Sequence, residues 1–272
     1  MKEWPARLVL VGAGKMGGAM AIGWLDAGLP ASSLAIREPK PSPEIAALAA
    51  SRGVALNPQS AAAPPDMLVL AIKPQNLDQV APEIAALAAG NTLVLSIIAG
   101  KTIANLQARL PGARAFVRAM PNTPAAIGRG VTAAFASAEV NADQRRWCER
   151  LLGAVGAFFW LEDEGSIDAV TAISGSGPAY VFALTEALAS AAEKLGLPRD
   201  LSMSLARGTV EGAAELMRRE SATSPATLRQ NVTSPGGTTA AALAVLKDAR
   251  GLDDLMARAT AAARARATEM AG

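Results

Sequence analysis

The sequence predicts an α/β domain built on a parallel β-sheet, followed by a domain made of helices alone. Up to about residue 161, short apolar runs such as 7–11, 67–72 and 92–98 alternate with helical segments. This alternation is typical of βαβ units and a parallel sheet. Beyond residue 162 only helical periodicity remains, so we place the two domains at 1–161 and 162–272.

Each predicted element follows from the period of its apolar residues and from the residues that end it. The strand at 67–72 is apolar throughout, as a strand buried on both faces requires, and Lys73-Pro74 ends it. The other predicted strands are 7–11, 34–36, 92–98, 115–118, 131–136 and 158–160. The predicted helices are 18–27, 43–52, 77–89, 103–110 and 142–155 in the first domain, and 166–173, 178–195, 199–219, 238–249 and 252–270 in the second.

Composition narrows the possible classes of protein. Hydrophobic residues make up 51% of the 272 residues and charged residues 18%, which is enough apolar material for a sizeable core. The formal net charge is only +2, so we expect no nucleic-acid partner and no attraction to an anionic membrane. Cys148 is the only cysteine, which excludes a disulfide within the chain and fits a reducing compartment.

The sequence also bears on location. Its first residues lack the pattern of a signal peptide. A segment that spans a bilayer needs roughly 20 apolar residues. Every apolar stretch of this sequence is interrupted by a glycine, a proline or a charged residue before it reaches that length. We therefore expect a soluble, cytoplasmic protein with no membrane partner.

Histidine is absent from the sequence. Its absence excludes catalytic triads that need histidine and most catalytic zinc sites, so we expect no metal. It also removes the usual general acid or base near neutral pH. Any proton moved in a reaction must therefore come from a hydroxyl, a carboxylic acid, a lysine, water or the substrate.

A glycine-rich turn joins the first predicted strand to the first helix. It reads Gly12-Ala13-Gly14-Lys15-Met16-Gly17 and has the spacing G-x-G-x-x-G. The first glycine permits a tight bend, the second lets a pyrophosphate approach the backbone, and the third lets helix and strand pack closely. The helix N-terminus then presents free N–H groups to phosphate. The sequence thus predicts a Rossmann domain that binds a dinucleotide cofactor through these six residues.

The end of the second predicted strand bears on the choice between NADH and NADPH. It reads Ile36-Arg37-Glu38-Pro39-Lys40. An acidic residue there commonly binds the ribose hydroxyls and repels a 2′-phosphate, whereas Arg37 and Lys40 would attract that phosphate. Because two cations flank one anion, the sequence favours NADPH, with Arg37 as a candidate cofactor contact. NADH stays the alternative.

A second unusual stretch precedes an apolar helix of the predicted helical domain. It reads Asn231-Val232-Thr233-Ser234-Pro235-Gly236-Gly237-Thr238-Thr239. Paired glycines expose backbone N–H groups, and such a turn at a helix N-terminus suits a small anion such as a carboxylate. A simple helix cap after a loop explains the same composition equally well.

At this stretch the chain resembles a known family. Residues 232–239 are very similar to the signature of the pyrroline-5-carboxylate reductases, the last enzymes of proline biosynthesis. Other blocks resemble the same family in the same order, namely Gly12-Ala13-Gly14-Lys15-Met16, Ala71-Ile72-Lys73-Pro74, Met120-Pro121-Asn122-Thr123-Pro124 and the segment 168–180. The resemblance therefore covers essentially the whole chain.

The resemblance implies an activity and an assembly. The activity is the reduction of the cyclic imine 1-pyrroline-5-carboxylate to L-proline by hydride from NADPH or NADH. The assembly is a homodimer with interlocked helical domains, often built into a larger ring, so the second domain would be a helical dimerisation domain. In the family, the substrate lies between the nicotinamide of one subunit and the Ser-Pro-Gly-Gly turn of the interlocked domain.

The resemblance also implies site residues. For substrate binding they are Ser234, Gly236, Gly237, Thr238 and Thr239, with backbone N–H groups of the glycines and Thr238 for the carboxylate. Thr239 is the catalytic candidate, because the family places its hydroxyl near the imine nitrogen. A threonine hydroxyl is a poor acid, so we expect Thr239 to position the substrate or relay a proton from water. For cofactor binding the implied residues are Ala71, Lys73, Pro74, Asn122 and Asn231.

Two other functions are compatible with a dinucleotide-binding domain, and each can be distinguished from imine reduction by one sequence feature. A β-hydroxyacid dehydrogenase needs a catalytic lysine in the helical domain, where Lys194 and Lys247 are the candidates. Lys194 lies near the end of its predicted helix, where compensation of the helix dipole explains it. A non-catalytic dinucleotide-binding regulator would keep the glycine turn but would not need the Ser-Pro-Gly-Gly-Thr-Thr stretch.

Overall fold

The computed structural model describes residues 3–59 and 63–271, and its first part is an α/β fold around one eight-stranded sheet. The strands are β1 (Leu8–Val11), β2 (Leu34–Arg37), β3 (Ala55–Leu56), β4 (Met67–Leu70), β5 (Leu93–Ser96), β6 (Ala115–Met120), β7 (Gly130–Ala136) and β8 (Gly156–Trp160). The helices between them are α1 (Lys15–Asp26), α2 (Pro43–Arg52), α3 (Leu77–Ile84), α4 (Ile103–Arg109) and α5 (Ala142–Gly153).

The strand order is β3-β2-β1-β4-β5-β6-β7-β8. Its first six strands follow the order of a Rossmann fold, and β1 pairs in parallel with both β2 and β4. Successive strands are therefore added on one side of the sheet from β1 to β3 and on the other side from β4 onward, so the strand order reverses between β1 and β4. Ligands of such sheets bind outside the carboxyl ends of the strands at this switch point, and the glycine turn follows β1 there.

One strand departs from the predicted parallel sheet. β7 pairs antiparallel with β6, with Val117 opposite Ala136. The segment 121–129 joins them and contains only a short 3₁₀ helix, Thr123–Ile127. A parallel crossover needs a longer connection, usually with an α-helix, so this short segment can only turn the chain back.

The core lies on both faces of the sheet. On one face Met20, Trp24 and Leu151 of α1 and α5 pack with the strands, and Trp24 Nε1 donates a hydrogen bond to Leu151 O at 2.9 Å. On the other face Leu77 and Leu106 pack with the strands from α3 and α4. All four residues of β4 are buried, as the apolar run predicted.

Beyond Trp160 the described residues form helices and turns but no strand, which confirms an α/β fold followed by a helical region. The helices are α6 (Ser166–Val170), α7 (Gly177–Lys194), α8 (Arg199–Arg219), α9 (Pro225–Asn231), α10 (Thr238–Leu246) and α11 (Leu252–Ala271). A single π-helical turn, Thr171–Gly175, joins α6 to α7.

The residue contacts divide the chain into two compact units. The first contains the residues up to Ser176 and those from Ala263 onward, and the second is Gly177–Ala262. The first unit therefore includes both α6 and the last part of α11. Helix α6 packs against β6 and β7. The boundary between residues 161 and 162 was predicted from the change of period alone, and it stays a prediction about domains.

Three differences from the predicted elements have local causes. α1 begins at Lys15 rather than at residue 18, because Gly14 is extended and already serves as the N-cap. α3 ends at Ile84 rather than at residue 89, and Pro82 within it removes a backbone donor. The segment 225–231 lies outside the predicted helices and forms α9, where Ser224 Oγ accepts a hydrogen bond from Thr227 N–H at 3.1 Å.

The second unit exposes many large apolar side chains. They include Val181, Phe182, Leu184 and Leu188 on α7 and Leu201, Met203, Leu205, Leu216 and Met217 on α8. The helical segment Ser166–Lys194 contains an 18-residue window with a mean hydropathy of 1.2, so it is long and apolar enough to cross a bilayer by length and composition. Gly175, Gly177 and Pro178 lie within this segment, and a protein partner would cover the same apolar side chains.

Candidate functional site

The glycine turn is shaped by close backbone contacts. Gly12 has a φ of +91°, and a Cβ atom there would lie 2.5 Å from Ala71 O. A Cβ atom on Gly17 would lie 2.2 Å from Gly12 O, so neither position accepts a side chain. A Cβ atom on Gly14 would have no neighbour within 4 Å. The first and third glycines thus serve packing within the protein, and the space above Gly14 is open to a ligand.

A cavity of about 750 Å³ opens beside this turn, at the carboxyl ends of β1, β2 and β4. The residues predicted to bind cofactor that line it are Gly12, Gly14, Arg37, Ala71 and Lys73. Ala13, Lys15, Met16 and Gly17 belong to the turn and the start of α1, and Pro74 begins a short 3₁₀ helix after Lys73. Further polar lining residues, which the sequence interpretation did not select as cofactor contacts, are Glu38, Asn57, Gln59, Asn76, Gln79 and Glu83.

The end of β2 is fixed against the glycine turn. Gly12 N–H donates to Arg37 O at 2.9 Å. Glu38 Oε2 accepts from Ala13 N–H at 2.9 Å, and Glu38 Oε1 accepts from Lys40 N–H at 3.1 Å. The carboxylate of Glu38 is therefore held beside the turn by two backbone donors.

Asn57 holds the backbone of Glu38 from the other side. Its Oδ1 accepts from Glu38 N–H at 2.9 Å, and its Nδ2 donates to Glu38 O at 2.8 Å. Asn57 has a φ of +49°, a left-handed conformation that asparagine adopts more readily than most residues. An asparagine directly after the short strand β3 was the available sequence signal, but its partner could not be read from the sequence.

Asn122 is buried, and its side-chain amide is engaged within the first unit. Its Oδ1 accepts from Val131 N–H at 2.8 Å, and its Nδ2 donates to Ser174 O at 2.9 Å. The side chain thus ties the loop after β6 both to β7 and to the π-helical turn. A contact from Asn122 to the cofactor stays a prediction. Because its side-chain amide is already hydrogen-bonded within the protein, the main chain of the loop is the better candidate for such a contact.

A buried arginine organises the same end of the sheet. Arg118 of β6 is 4% exposed and lies 3.3 Å from a carboxylate oxygen of both Glu164 and Asp168. Glu164 Oε1 also accepts from Ile103 N–H at 2.8 Å, and Asp168 Oδ2 accepts from Thr268 Oγ1 at 3.1 Å. This network joins β6, α4, α6 and the end of α11.

The Ser-Pro-Gly-Gly turn lies in the second unit, directly before α10. Gly236 has a φ of +70°, and Gly237 is the extended N-cap of α10, with no side chain capping the helix. The first helical hydrogen bond runs from Ala241 N–H to Gly237 O at 3.1 Å. The N–H groups of Thr238, Thr239 and Ala240 therefore point from a helix N-terminus, where a carboxylate is favoured.

One predicted donor of this turn is already used. Gly237 N–H donates to Ser234 O at 3.0 Å and so closes the turn itself. The N–H groups of Gly236 and of residues 238–240 are therefore better candidates for an anion, and binding of the substrate carboxylate by Gly237 N–H stays a prediction. Thr239 is half-buried, while Ser234 and Thr238 are exposed.

The turn is also tied to the helix before it. α9 ends at Asn231, which is exposed. Thr233 Oγ1 donates to Arg229 O at 2.6 Å, and Thr233 N–H donates to Gln230 O at 3.0 Å. Asn231 therefore directly precedes a turn whose path is set by local hydrogen bonds, and its predicted contact to the cofactor stays a prediction.

Neither lysine of the second unit has the surroundings of a catalytic lysine. Lys194 is exposed in the last turn of α7, before Gly196, whose φ of +92° is that of a C-terminal helix cap. Lys247 Nζ contacts both carboxylate oxygens of Asp253, at 2.8 and 2.9 Å. The position of Lys194 at the end of α7 and the ion pair of Lys247 explain both lysines structurally and leave the dehydrogenase alternative without support.

The remaining reactive groups are few in the described part of the chain. Cys148 is fully buried, and burial raises the pKa of its thiol far above the usual range, so it is not a nucleophile. Within residues 3–59 and 63–271 no group of three or more acidic or cysteine side chains could hold a metal ion.

Comparison with known proteins covers both parts of the chain. Residues 164–270 match the family model for pyrroline-5-carboxylate reductase dimerisation. Residues 7–100 match the model described as NADP oxidoreductase coenzyme F420-dependent. The helical segment after the sheet therefore belongs to a known dimerisation domain.

Relatives along the whole length carry one name. The pyrroline-5-carboxylate reductase of Pseudomonas aeruginosa is 41% identical over 267 residues, which is 97% of either chain. The enzyme of Pisum sativum is 35% identical over 94% of this chain and 93% of its own.

Solved structures agree with these relatives. A pyrroline-5-carboxylate reductase from Coxiella burnetii has a TM-score of 0.89 and 34% identity, covering 98% of this chain and 99% of its own. The Plasmodium falciparum protein, solved with NADP bound, has a TM-score of 0.81 and 29% identity over 98% of both chains. On this full-length similarity, the chain belongs to the pyrroline-5-carboxylate reductase family.

Proposed function

We propose that this chain reduces 1-pyrroline-5-carboxylate to L-proline with NADH or NADPH, the final step of proline biosynthesis. The observation that carries the proposal is the N-terminus of α10. It has a glycine N-cap, backbone N–H groups that no protein side chain caps, and the hydroxyl of Thr239 in its first turn. An anionic substrate with a polar nitrogen a few bonds away matches this arrangement of donors.

The residues of the first unit would hold the cofactor. The pyrophosphate would lie against the open face of Gly14 and the start of α1, where the helix dipole and free N–H groups favour it. Arg37, Ala71 and Lys73 would contact the cofactor from the cavity wall, since all three line it. Bound NADH or NADPH would supply the hydride.

The residues of the second unit would orient the imine. The N–H groups at the start of α10 would bind the substrate carboxylate, and this contact would fix the ring. Thr239 Oγ1 would donate to, or relay a proton from water to, the imine nitrogen, because a protonated imine accepts hydride more readily than a neutral one. Because the cofactor supplies the hydride, the protein has to orient the reactants and place charge, and neither task requires histidine.

We also propose how the chains assemble. The matched dimerisation model and the exposed apolar side chains of α7 and α8 support a homodimer with interlocked helical domains. In that dimer, the Ser-Pro-Gly-Gly turn of one subunit would meet the nicotinamide bound to the other, and Asn231 would reach the same cofactor. A larger ring of dimers is a further step of the same proposal, and a cytoplasmic location stays a prediction.

The activity is tested by following oxidation of NADH and NADPH with 1-pyrroline-5-carboxylate as substrate, beside a panel of β-hydroxyacids assayed in the oxidative direction. We expect turnover with the imine alone. Turnover with a hydroxyacid and none with the imine would contradict the proposal.

The role of Thr239 is tested by Thr239→Ala. Losing one hydrogen bond to a charged group, worth about 1.5–3 kcal/mol, should lower kcat/KM for the imine roughly 10- to 100-fold, with the dimer unchanged by sedimentation velocity. Thr227→Ala, at an exposed threonine of α9, is the matched control and should keep normal kinetics. Equal kinetics for Thr239→Ala and the control would remove Thr239 from the mechanism.

A further inference from the structure

We propose that Glu38 sets the cofactor preference of this chain, and that it favours NADH over NADPH. This inference rests on the proposed function only in assuming that the cavity beside the glycine turn binds the adenosine half of the cofactor. The charge count at the end of β2 favoured NADPH, and the geometry of the same residues points the other way.

The first step is the fixed position of the carboxylate. Glu38 Oε2 accepts from Ala13 N–H inside the glycine turn at 2.9 Å, so the carboxylate lies against the turn that would hold the pyrophosphate. Lys40 N–H holds the second oxygen at 3.1 Å. A carboxylate held by two backbone donors cannot swing away from a ligand without losing both hydrogen bonds.

The second step is the rigidity of the backbone that carries Glu38. Asn57 binds both the N–H and the carbonyl of Glu38, and Gly12 N–H binds the carbonyl of Arg37. The end of β2 is thus tied to the glycine turn on one side and to the residue after β3 on the other. The negative charge therefore has a defined place in the cavity wall.

The third step is the chemistry of the two cofactors. Each carboxylate oxygen of Glu38 has a second lone pair, which can accept a hydrogen bond from a hydroxyl of the adenosine ribose. NADH offers both the 2′- and the 3′-hydroxyl as donors. NADPH replaces the 2′-hydroxyl by a dianionic phosphate, which removes a donor and brings like charge against the carboxylate.

The fourth step concerns the two cations. The ammonium group of Lys40 does not enter the lining of the cavity, and only the backbone N–H of this exposed residue engages Glu38. Arg37 and Lys73 are the cations that line the cavity, and Glu38 and Glu83 are its carboxylates. The described lining therefore has no net formal charge, whereas Arg37, Glu38 and Lys40 at the end of β2 sum to one positive charge.

The decisive measurement uses fragments that lack the nicotinamide, so it does not depend on turnover. Binding of AMP and of 2′,5′-ADP, which differ only in the 2′-phosphate, to the full chain is measured by calorimetry at a fixed salt concentration. We expect AMP to bind about tenfold more tightly than 2′,5′-ADP, a difference of about 1.4 kcal/mol. Equal binding, or tighter binding of 2′,5′-ADP, would overturn the proposal.

Three variants assign the preference to Glu38. Glu38→Ser and Glu38→Gln should each raise the affinity for 2′,5′-ADP relative to AMP by about tenfold. Glu83→Gln removes a carboxylate elsewhere in the same lining and should change this ratio by less than about twofold. A ratio that moves as much in Glu83→Gln, or that stays unchanged in both Glu38 variants, would contradict a specific role for Glu38.

Kinetics complete the test and separate it from the proposed function. The ratio of kcat/KM with NADPH to that with NADH should rise in both Glu38 variants in step with the binding ratio. If the wild-type chain binds AMP more tightly than 2′,5′-ADP but does not reduce the imine, the proposed activity fails and this inference stands. If the imine is reduced best with NADPH and 2′,5′-ADP binds best, the inference fails and the activity stands.

Discussion

The two compact units bury their apolar side chains to very different degrees. In the first unit all four residues of β4 are fully buried, and apolar clusters cover both faces of the sheet. In the second unit Ala189 is the one buried residue of α7, and Phe182 of the same helix is 63% exposed. The first unit therefore has a complete core of its own, whereas the second presents a surface that a dimerisation domain would cover with a second copy.

This difference shows where each half of the function is determined. The glycine turn and its cavity are formed within one chain, by backbone contacts of the first unit. The Ser-Pro-Gly-Gly turn belongs to the second unit, whose helices leave many large apolar side chains exposed. We therefore expect substitutions in the first unit to act on cofactor binding and folding, and substitutions on α7 to act through assembly.

The largest effect is expected for Gly12→Val. A side chain at this position meets Ala71 O at 2.5 Å and requires a φ of +91°, which β-branched residues do not adopt. Cofactor binding should fall by a factor of at least about 100, and the melting temperature should fall as well. Gly14→Ala is the control, because a Cβ atom there has open space. It should preserve the melting temperature, and normal cofactor binding by Gly12→Val would refute the packing argument.

A charge on α7 should separate assembly from cofactor binding. Phe182→Glu places a carboxylate on the exposed apolar face, and burying it in a dimer without a partner would be strongly unfavourable. Sedimentation velocity should show a shift towards monomer, with loss of imine reduction. The control is Glu215→Gln on α8, which removes a charge from an exposed ion pair. A stable, active Phe182→Glu dimer would mean that this face of α7 is not the interface.

The buried arginine tests how far the first unit depends on polar contacts. Arg118→Met leaves Glu164 and Asp168 without their cation, and breaking a buried pair in this way costs about 3 kcal/mol. Chemical denaturation should therefore show a large fall in the free energy of unfolding. Arg52→Met, which breaks the exposed pair with Asp26, should cost less than about 1 kcal/mol. Equal losses in the two variants would show that the buried network contributes no more than a surface pair.

Much of the fold could be predicted because its signals are local. Helix α2 has the predicted bounds, since Ser42 caps it, Pro43 begins it and Gly53 ends it in a left-handed conformation. The antiparallel β7 could not be predicted from apolar period, because strand direction depends on what the short segment 121–129 can span. The π-helical turn was missed because its hydrogen bonds leave no distinctive residue pattern.

The candidate site divides in the same way. The glycine turn was predictable because its spacing serves backbone geometry that only glycine allows. The roles of Glu38 and Asn122 were not, since both depend on partners distant in sequence: Asn57 in one case and Ser174 in the other. A count of charges near the end of β2 favours NADPH, and NADP is named for both the matched oxidoreductase model and one solved relative. The hydrogen bonds of Glu38 are the basis of our proposal for the opposite preference in this chain.

The smallest effect compares two buried threonines of the first unit. Thr132 on β7 is 1% exposed, and its hydroxyl has no hydrogen-bond partner among the described residues, whereas Thr92 Oγ1 donates to Pro65 O at 2.6 Å. Thr132→Val keeps the shape and removes an unsatisfied polar group, so it should stabilise the fold by about 1 kcal/mol. Thr92→Val leaves Pro65 O without this donor and should destabilise it by a similar amount. Chemical denaturation of both variants measures the difference. If the free energy of unfolding rises in Thr132→Val and falls in Thr92→Val, the hydroxyl of Thr132 is an unsatisfied polar group that destabilises the core. Equal destabilisation in the two variants would show that the Thr132 hydroxyl has a hydrogen-bond partner.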